Sequence, residues 1–166
     1  MGLKLIAAMS LNQAIGIAGK VPWHYEEDSR RFRELTTGGA VIMGANTFAL
    51  DLEGKCLKDR LNIVLCHPKD SCVDRVSPQG DYVPVHSKQA ALEAAGDRQT
   101  WVIGGAGIYE LFLPDVDELF ICHIHNPVPG DTYFPPISWK DWLPVVFEDG
   151  QGDYSFVVYK RSSKTS

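Results

Sequence analysis

The sequence lacks a long hydrophobic run, a cluster of basic residues and a cysteine motif. Its longest apolar runs are strand-sized, so no segment is a candidate for a membrane-spanning helix. The net charge is −5 and Lys and Arg form only short pairs, which argues against a nucleic-acid or anionic-membrane partner. No C-x-x-C spacing is present, and a chain of this length can build a core without cross-links. We therefore expect small-molecule ligands, a cytoplasmic location without a signal peptide, and free thiols at Cys56, Cys66, Cys72 and Cys122.

Strand-sized apolar runs alternate with helical periods along most of the chain. With 166 residues and 45% hydrophobic content, the sequence suits one domain with one sizeable core. Apolar runs without alternation are typical of strands buried on both faces, and such strands are usually parallel. The predicted strands are 3–9, 40–43, 61–66, 82–85 and 100–103, and the predicted helices are 26–36, 45–52, 87–95 and 107–113.

The C-terminal part changes style, because it contains strand-like segments without helices between them. These are 118–125, 144–149 and 154–161, with a hairpin turn at the GQG of 150–152. The sequence predicts an α/β fold with a mixed sheet, parallel in its body and antiparallel at its C-terminal edge. We expect a single domain over 1–161 and a polar tail over 162–166.

Asp28 is an acid on the apolar side of the predicted helix 26–36. It shares one stripe with Phe32 and Leu35, while the other charged side chains of the helix point away. A carboxylate that faces a core is costly unless a ligand or a proton transfer uses it. A first-turn acid is also favoured by the helix dipole alone. On position, both interpretations stay open.

Two glycine-marked segments each follow a strand and begin a helix. They are VIMGANTF at 41–48 and WVIGGAGIYE at 101–110. The first N–H groups of a helix lack partners and bind anions, so two such ends could hold one pyrophosphate. Glu110 stands where a Rossmann fingerprint needs its third glycine, which disfavours that fold. A lone Gly-Gly often marks only a tight turn, but two such sites on strand-to-helix turns weaken that alternative.

Six segments together resemble the bacterial-type dihydrofolate reductases, in the order and spacing of that family. They are IAAMSLNQAIG at 6–16, VPW with Asp28 and Phe32, VIMGANTF, LKDRLNIVL at 57–65, VIGGAGIYE and PGDTYFP at 129–135. The resemblance implies an eight-stranded sheet with four flanking helices. It also implies reduction of 7,8-dihydrofolate to 5,6,7,8-tetrahydrofolate by a nicotinamide cofactor, expected to be NADPH, and binding of antifolates by a protein that we expect to be a monomer.

The resemblance also assigns roles in catalysis and in substrate binding. Asp28 would accept from the amino group and ring N–H of the pterin in a bidentate pair and would promote protonation of N5, with water near Trp23. Arg60 would anchor the glutamate carboxylate of the substrate. Phe32 and Leu57 would flank the aminobenzoyl ring, although either residue could equally be plain core. The expected substrate-binding residues are Ile6, Asp28, Phe32, Leu57, Arg60, Ile103 and Cys122.

For the cofactor, the resemblance points to backbone groups and to the two glycine turns. Residues 16–23 would form a mobile lid, supported by the loop of Asp131 and Thr132, and the Gly104–Gly105 peptide would be cis. The expected cofactor-binding residues are Ala8, Ile15, Gly16, Gly44, Ala45, Thr47, Leu65, Cys66, His67, Ile103, Gly104, Gly105, Ala106, Gly107, Ile108 and Tyr109.

Two departures from the family pattern bear on the cofactor and on the expected catalytic acid. The arginine that usually binds the 2′-phosphate of NADPH is replaced by Ala45, and Cys66 and His67 replace a Ser-Arg or Ser-Ser pair, so NADH is also admitted as a cofactor. His67 and Lys69 could supply part of the missing clamp. The hydroxyl that usually bonds the catalytic acid is replaced by the weaker donor Cys122, which could alter the pKa of Asp28.

Two rival functions and one rival site remain on sequence grounds. The rival functions are a pyrimidine reductase of riboflavin synthesis and a catalytically silent nucleotide-binding module. The tract from VPW to Asp28 argues against the first, and Asp28 with the glycine turns argues against the second. His123 and His125 face one side of a strand, but two ligands without a third make a poor metal site, so no metal is expected.

Overall fold

The computed structural model describes residues 2–17, 23–67, 82–150 and 152–162. Eight strands form one sheet in the order β5-β4-β3-β6-β1-β7-β10-β9. They are β1 (Leu3–Met9), β3 (Ala40–Gly44), β4 (Leu61–Leu65), β5 (Tyr82–Val85), β6 (Thr100–Gly104), β7 (Glu118–Ile124), β9 (Trp142–Gly150) and β10 (Tyr154–Arg161). The remaining two strands, β2 (Ala14–Gly16) and β8 (Thr132–Tyr133), pair with each other.

The predicted mixed sheet is confirmed. The six strands from β5 to β7 are parallel to their neighbours, and β10 runs antiparallel to both β7 and β9. Strand β3 is buried along its whole length, as expected for a parallel strand covered on both faces. Strand β10 ends at Arg161, where the predicted domain also ends.

The helices cover both faces of the sheet. Helices α1 (Glu26–Thr36), α2 (Lys88–Ala95) and α3 (Ala106–Phe112) lie within one residue of three predicted helices. The fourth predicted helix, 45–52, is also present, but Thr47–Asp51 within it form a π-helical turn closed by the Leu52 N–H on the Thr47 carbonyl, 2.9 Å apart. Hydrophobic spacing predicts a helix here but does not distinguish this wider turn from an α-helix.

Alternation along β1 divides the core into two sides. Leu3, Leu5, Ala7 and Met9 face the main core, which α2 and α3 cover. Ile6 and Ala8 face the other side, where α1 lies. The stripe of α1 predicted from the sequence is confirmed, because positions 28, 32 and 35 are half-buried and positions 26, 30, 33 and 34 are exposed.

Candidate active site

A small cleft lies between α1 and the strands β1, β7 and β10. The first turn of helix α1 contains three acids, which the positive end of the helix dipole favours. The third of these acids, Asp28, faces the sheet, so its carboxylate lies in the cleft. Burial raises the pKa of Asp28 to about 6, against the opposing effects of a hydrogen bond from Cys122 and the charges of Arg31 and His24. The cleft is lined by Ile6, Ala7, Asp28, Arg31, Phe120, Ile121, Cys122, Phe156 and Val157.

Cys122 reaches the cleft from β7, where it is paired with Ala8 of β1 and Phe156 of β10. The side chain is buried. Burial raises the pKa of its thiol, and the nearby Asp28 charge raises it further, so the thiol stays protonated and can act as a hydrogen-bond donor to the carboxylate. Cys122, one of the departures from the family pattern, is therefore a direct neighbour of Asp28.

Trp23 packs against the apolar cluster that contains Cys122 and Phe156. Its indole Nε1 is buried and, among the described residues, has no hydrogen-bond partner. A buried indole N–H usually donates to some group. Trp23 therefore brings a donor without a protein acceptor to the side of the site that holds Asp28.

The two glycine turns lie side by side at the carboxyl ends of adjacent strands β3 and β6. A Cβ on Gly44 would stand 2.9 Å from Ile108 Cγ1, and a Cβ on Gly105 would stand 3.4 Å from Thr47 Oγ1. The Gly104–Gly105 peptide is cis. Because Gly44 and Gly105 have no side chains, a narrow groove remains between the two helical N-termini that follow β3 and β6. We call this groove the cradle, and its position between two helical N-termini suits an anion.

Tyr109 closes the second turn from inside the core. Its hydroxyl lies 2.9 Å from the carbonyl oxygen of Ile6 and 3.0 Å from that of Ile103. Burial raises the pKa of this phenol, which stays protonated and available as a donor. Its side chain therefore links β1 to β6 and shapes the turn from beneath.

The expected cofactor residues gather at the carboxyl ends of four adjacent strands. Leu65 of β4 is opposite Gly44 of β3, Met43 of β3 is opposite Gly104 of β6, and β6 neighbours β1, which carries Ala8. In open parallel sheets, ligands bind outside this edge. Ile15 and Gly16 lie in β2, whose Gly16 carbonyl accepts from the Asp131 N–H at 3.0 Å. Of the expected lid, residues 18–22 lie outside the described residues, as does Lys69.

At the other end of the site, Arg60 and Phe32 meet, with the guanidinium carbon 6.0 Å from the ring centre. Arg60 Nε donates to the Lys58 carbonyl at 2.8 Å and Nη1 donates to Thr36 Oγ1 at 3.0 Å, which fix its direction. Burial lowers the pKa of Arg60. Leu57 packs with Ile6 and Ile103 against a shared core cluster, so this set of expected substrate residues is contiguous.

Asn62 supports this end of the site and was not predicted. It is buried in β4, its Oδ1 accepts from the Leu57 N–H at 2.8 Å, and its Nδ2 donates to the Leu57 carbonyl at 2.9 Å and the Arg60 carbonyl at 3.0 Å. These bonds fix the loop that carries Leu57 and Arg60. The available sequence signal was one amide in the otherwise apolar strand LNIVL.

Of the cysteines, Cys56 and Cys122 are free thiols as predicted. The prediction is wrong for Cys66, which is disulfide-bonded. It depended on the absence of a short motif, and spacing in the sequence does not show which cysteines meet in space. Cys72 lies outside the described residues.

His123 in β7 and His125 just after it bond to separate neighbours. His123 Nε2 lies 2.9 Å from the Tyr159 hydroxyl, and His125 Nε2 lies 2.9 Å from Ser155 Oγ.

Within residues 2–17, 23–67, 82–150 and 152–162, no three His, Cys, Asp or Glu side chains form a group that could hold a metal ion. In the same ranges, no helix has the length and apolar character needed to cross a membrane.

The mixed sheet, the half-buried acid on the inner face of α1 and the two glycine turns at the ends of β3 and β6 are those of the dihydrofolate reductase-like α/β proteins. The family model described as dihydrofolate reductase matches residues 2–161. The chain belongs to the dihydrofolate reductase family.

Individual relatives and a solved structure agree with this assignment. The dihydrofolate reductase of Staphylococcus haemolyticus is 32% identical, with 96% of this chain and 95% of the relative covered. That of Bacillus subtilis is also 32% identical, with 98% and 96% covered. The structure of dihydrofolate reductase from Enterococcus faecalis complexed with NADP(H) and RAB-propyl has a TM-score of 0.83 and 29% identity, with 98% of this chain and 97% of that chain covered.

Proposed function

We propose that the protein reduces 7,8-dihydrofolate to 5,6,7,8-tetrahydrofolate with a nicotinamide cofactor, and that Asp28 binds the pterin. One observation carries the proposal, namely that the Asp28 carboxylate stands half-buried in a cleft on the inner face of α1, with its pKa raised to about 6. At neutral pH most of it is ionised, because the pH is above this pKa. An ionised carboxylate can accept from the amino group and ring N–H of a pterin together.

The cradle between the glycine turns fits a dinucleotide. A Cβ at Gly44 would stand only 2.9 Å from Ile108 Cγ1, and a Cβ at Gly105 would be in van der Waals contact with Thr47 Oγ1. Gly44, Thr47 and Gly105 would hold the phosphates through helix N-terminal N–H groups, with Ala8 and Ile15 carbonyls toward the nicotinamide end. The bound cofactor would supply the hydride that the pterin receives at C6.

The protein's own residues would then handle the proton that the pterin requires at N5. Asp28 would not touch N5, and its negative charge would favour protonation there through water held near the unpartnered Trp23 Nε1. Cys122 would keep the carboxylate in place by donating to it. Phe32, Leu57 and Arg60 would hold the aminobenzoyl and glutamate parts of the substrate, with Arg60 as a bidentate anchor.

The test is turnover of dihydrofolate by the wild type and by two matched variants. Asp28→Asn and Glu26→Gln each remove one negative charge from the first turn of α1, but only Asp28 faces the cleft. We expect Asp28→Asn to lose most turnover at neutral pH and to recover part of it in acid, where N5 protonates without help. Glu26→Gln should match the wild type. Full activity of Asp28→Asn at neutral pH would exclude the proposed role of Asp28.

The same assay separates the rival functions, if reduced nicotinamide absorbance is followed with dihydrofolate and with a pyrimidine substrate of riboflavin synthesis. Loss of absorbance that depends on dihydrofolate supports the proposal, loss only with the pyrimidine supports the related reductase, and no loss with either supports a silent nucleotide-binding module. We further propose that NADPH is preferred over NADH, that antifolates bearing the pterin's N–H pair compete for Asp28, and that the protein is a cytoplasmic monomer, with its mass in solution measurable by light scattering.

A further inference from the structure

Arg31 on α1 lines the same cleft as Asp28, and it has no role in the proposed reaction. The two residues are three positions apart, so they share a face of the helix, and both line the cleft. The Arg31 side chain is 23% exposed. A cation placed beside the catalytic carboxylate therefore needs an explanation.

The contacts of Arg31 lead away from Asp28 toward the C-terminal hairpin. Its Nη1 lies 2.7 Å from Glu148 Oε2 on β9, and its guanidinium carbon lies 4.6 Å from the ring centre of Phe156 on β10. Among the described residues, Arg31 forms an ion pair with Glu148 and not with Asp28. An acid and an arginine three residues apart on a helix commonly pair with each other, so this partner choice is the unusual feature.

Stability alone does not explain the pair. The Glu148 side chain is 55% exposed, and ion pairs that reach solvent contribute little to folding. What the pair does fix is the place of one positive charge, since the guanidinium lies between the ring of Phe156 and the carboxylate of Glu148. Removal of either support would let the long side chain turn.

We propose that Glu148 and Phe156 hold Arg31 beside Asp28 without allowing it to close an ion pair, so that the Asp28 carboxylate stays open to the substrate. Arg31 and Glu148 are thus positioning residues that act through Asp28. The inference rests on the proposed role of Asp28 as the pterin-binding acid, and it adds the device that keeps that acid accessible.

Other groups face Asp28 from every element packed around it. His24 lies just before α1, and Cys122 on β7 is a hydrogen-bond partner of the carboxylate. Glu27 on α1 accepts a hydrogen bond from Tyr154 of β10 at 2.9 Å. The charge of Asp28 also acts on the hydroxyl of Tyr109 in α3 and contributes to its raised pKa. Arg31 and His24 favour the ionised acid and burial opposes it. Among these groups, only Arg31 is a cation that pairs with an acid on a different element, Glu148 on β9. We therefore expect the pKa of Asp28 to shift in opposite directions when Arg31 and Glu148 are changed.

The test is a titration of the Asp28 carboxyl by carbon-13 NMR in Arg31→Met, Glu148→Gln and the double variant. Methionine keeps an apolar stem over Phe156 but carries no charge, so the pKa of Asp28 should rise. In Glu148→Gln, Arg31 loses its anionic partner and turns to Asp28, so the pKa should fall. The double variant should match Arg31→Met, because Glu148 acts through Arg31.

Kinetics provides the second measurement. Glu148→Gln should raise KM for dihydrofolate by roughly five- to tenfold, because the freed arginine competes with the pterin for the carboxylate. The matched controls are Asp149→Asn, next to Glu148 on β9, and Arg30→Gln, on the exposed face of α1. Both remove the same charge as the corresponding variant, and both should leave the Asp28 titration and KM unchanged.

The outcomes separate this inference from the proposed function. If the two single variants shift the pKa of Asp28 in the same direction, or neither shifts it, the pair is only structural and the inference is wrong. If the wild type does not reduce dihydrofolate, the proposed function fails, while the titration in the absence of substrate still measures how Arg31 is positioned.

Discussion

The thiol of Cys122 on β7 and the carboxylate of Asp28 on α1 line the same cleft, and hydrogen bonding between them lowers the pKa of the acid. This bond favours the ionised acid and opposes burial, which is the larger effect on its pKa. A thiol is a weak donor, so it offsets burial less than a hydroxyl would. Asp28, the acid proposed to bind the pterin, therefore has a raised pKa that its neighbour Cys122 lowers only in part.

We expect the pKa of Asp28 to follow the donor strength at position 122. Cys122→Ser replaces the thiol by a stronger donor of similar size, so the pKa should fall below its value of about 6. Cys122→Ala removes the donor, so the pKa should rise. Carbon-13 NMR of the Asp28 carboxyl measures both shifts, and the pH profile of kcat should move with them.

The matched control for this series is Cys56→Ser, because Cys56 is also a free thiol but does not contact Asp28 in the cleft. It should leave the titration unchanged. If serine and alanine at position 122 shift the pKa in the same direction, cavity or packing effects outweigh the hydrogen bond and the interpretation is wrong.

Asp28→Asn should be more stable than the wild type at neutral pH. The pKa of Asp28 is about 6 in the folded protein, and an unfolded chain has about 3.9 for the same group. An acid whose pKa is raised by folding makes its full contribution to the free energy of unfolding at pH values below its pKa in the unfolded chain. This contribution is lost as the pH rises through its pKa in the folded protein. The wild type should therefore lose roughly 2–3 kcal/mol of unfolding free energy between about pH 4 and pH 7, and the variant should not.

Denaturant unfolding of both proteins at acidic and neutral pH checks this expectation. The difference between them should vanish below about pH 4, where the wild-type acid is protonated in both states. Glu26→Gln, on the exposed face of the same helical turn, should show no comparable gain. An equal stability of wild type and Asp28→Asn at neutral pH would mean that Asp28 is not penalised by burial.

Local patterns in the sequence were enough to predict α1 and the body of the sheet. The spacing of Asp28, Phe32 and Leu35 fixes which face of α1 turns inward, and unbroken apolar runs such as that of β3 mark strands covered on both sides. These features depend on burial, which leaves a periodic trace. The position of Asp28 on the sheet side of its helix follows from the same trace.

Features that depend on contacts between residues far apart in the chain produce no periodic pattern in the sequence. Strands β2 and β8 contain three and two residues, too few to show a period, and they are defined only by pairing with each other. The Arg31–Glu148 pair joins positions 117 residues apart, and each residue alone resembles a solvated charge. The disulfide at Cys66 and the role of Asn62 are unpredictable for the same reason.

The left-handed backbone of Gly104 should be required for cofactor binding. Its φ is +124°, and a Cβ there would stand 3.2 Å from the Tyr109 hydroxyl oxygen, which the carbonyls of Ile6 and Ile103 hold in place. Gly104→Ala should lower the unfolding free energy by about 1–3 kcal/mol and raise KM for the cofactor, because either the backbone or Tyr109 must move. Thermal unfolding and initial rates at varied cofactor concentration measure the two effects.

Gly96→Ala is the control for backbone strain alone. Gly96 also has a positive φ, +60°, at the end of α2, and the nearest atom to an added Cβ is Arg98 Nη1 at 3.9 Å. This variant should lose stability of about 1–2 kcal/mol and keep KM for the cofactor. If Gly104→Ala binds the cofactor as well as the wild type does, the cradle between the two turns is not the site.

Ala45→Arg should sharpen the preference for NADPH over NADH. Ala45 directly follows Gly44 at the carboxyl end of β3, in the position where the family resemblance places an arginine that grips the 2′-phosphate. A bidentate arginine contact with a phosphate contributes about 1.5–3 kcal/mol, so the ratio of kcat/KM for NADPH to that for NADH should rise by roughly tenfold or more. The gain should shrink at high salt, because it depends on an exposed charge pair.

Gln99→Arg adds the same charge at the opposite end of the sheet, just before β6, and should leave the ratio unchanged. Equal ratios in Ala45→Arg and the wild type would place the 2′-phosphate away from residue 45.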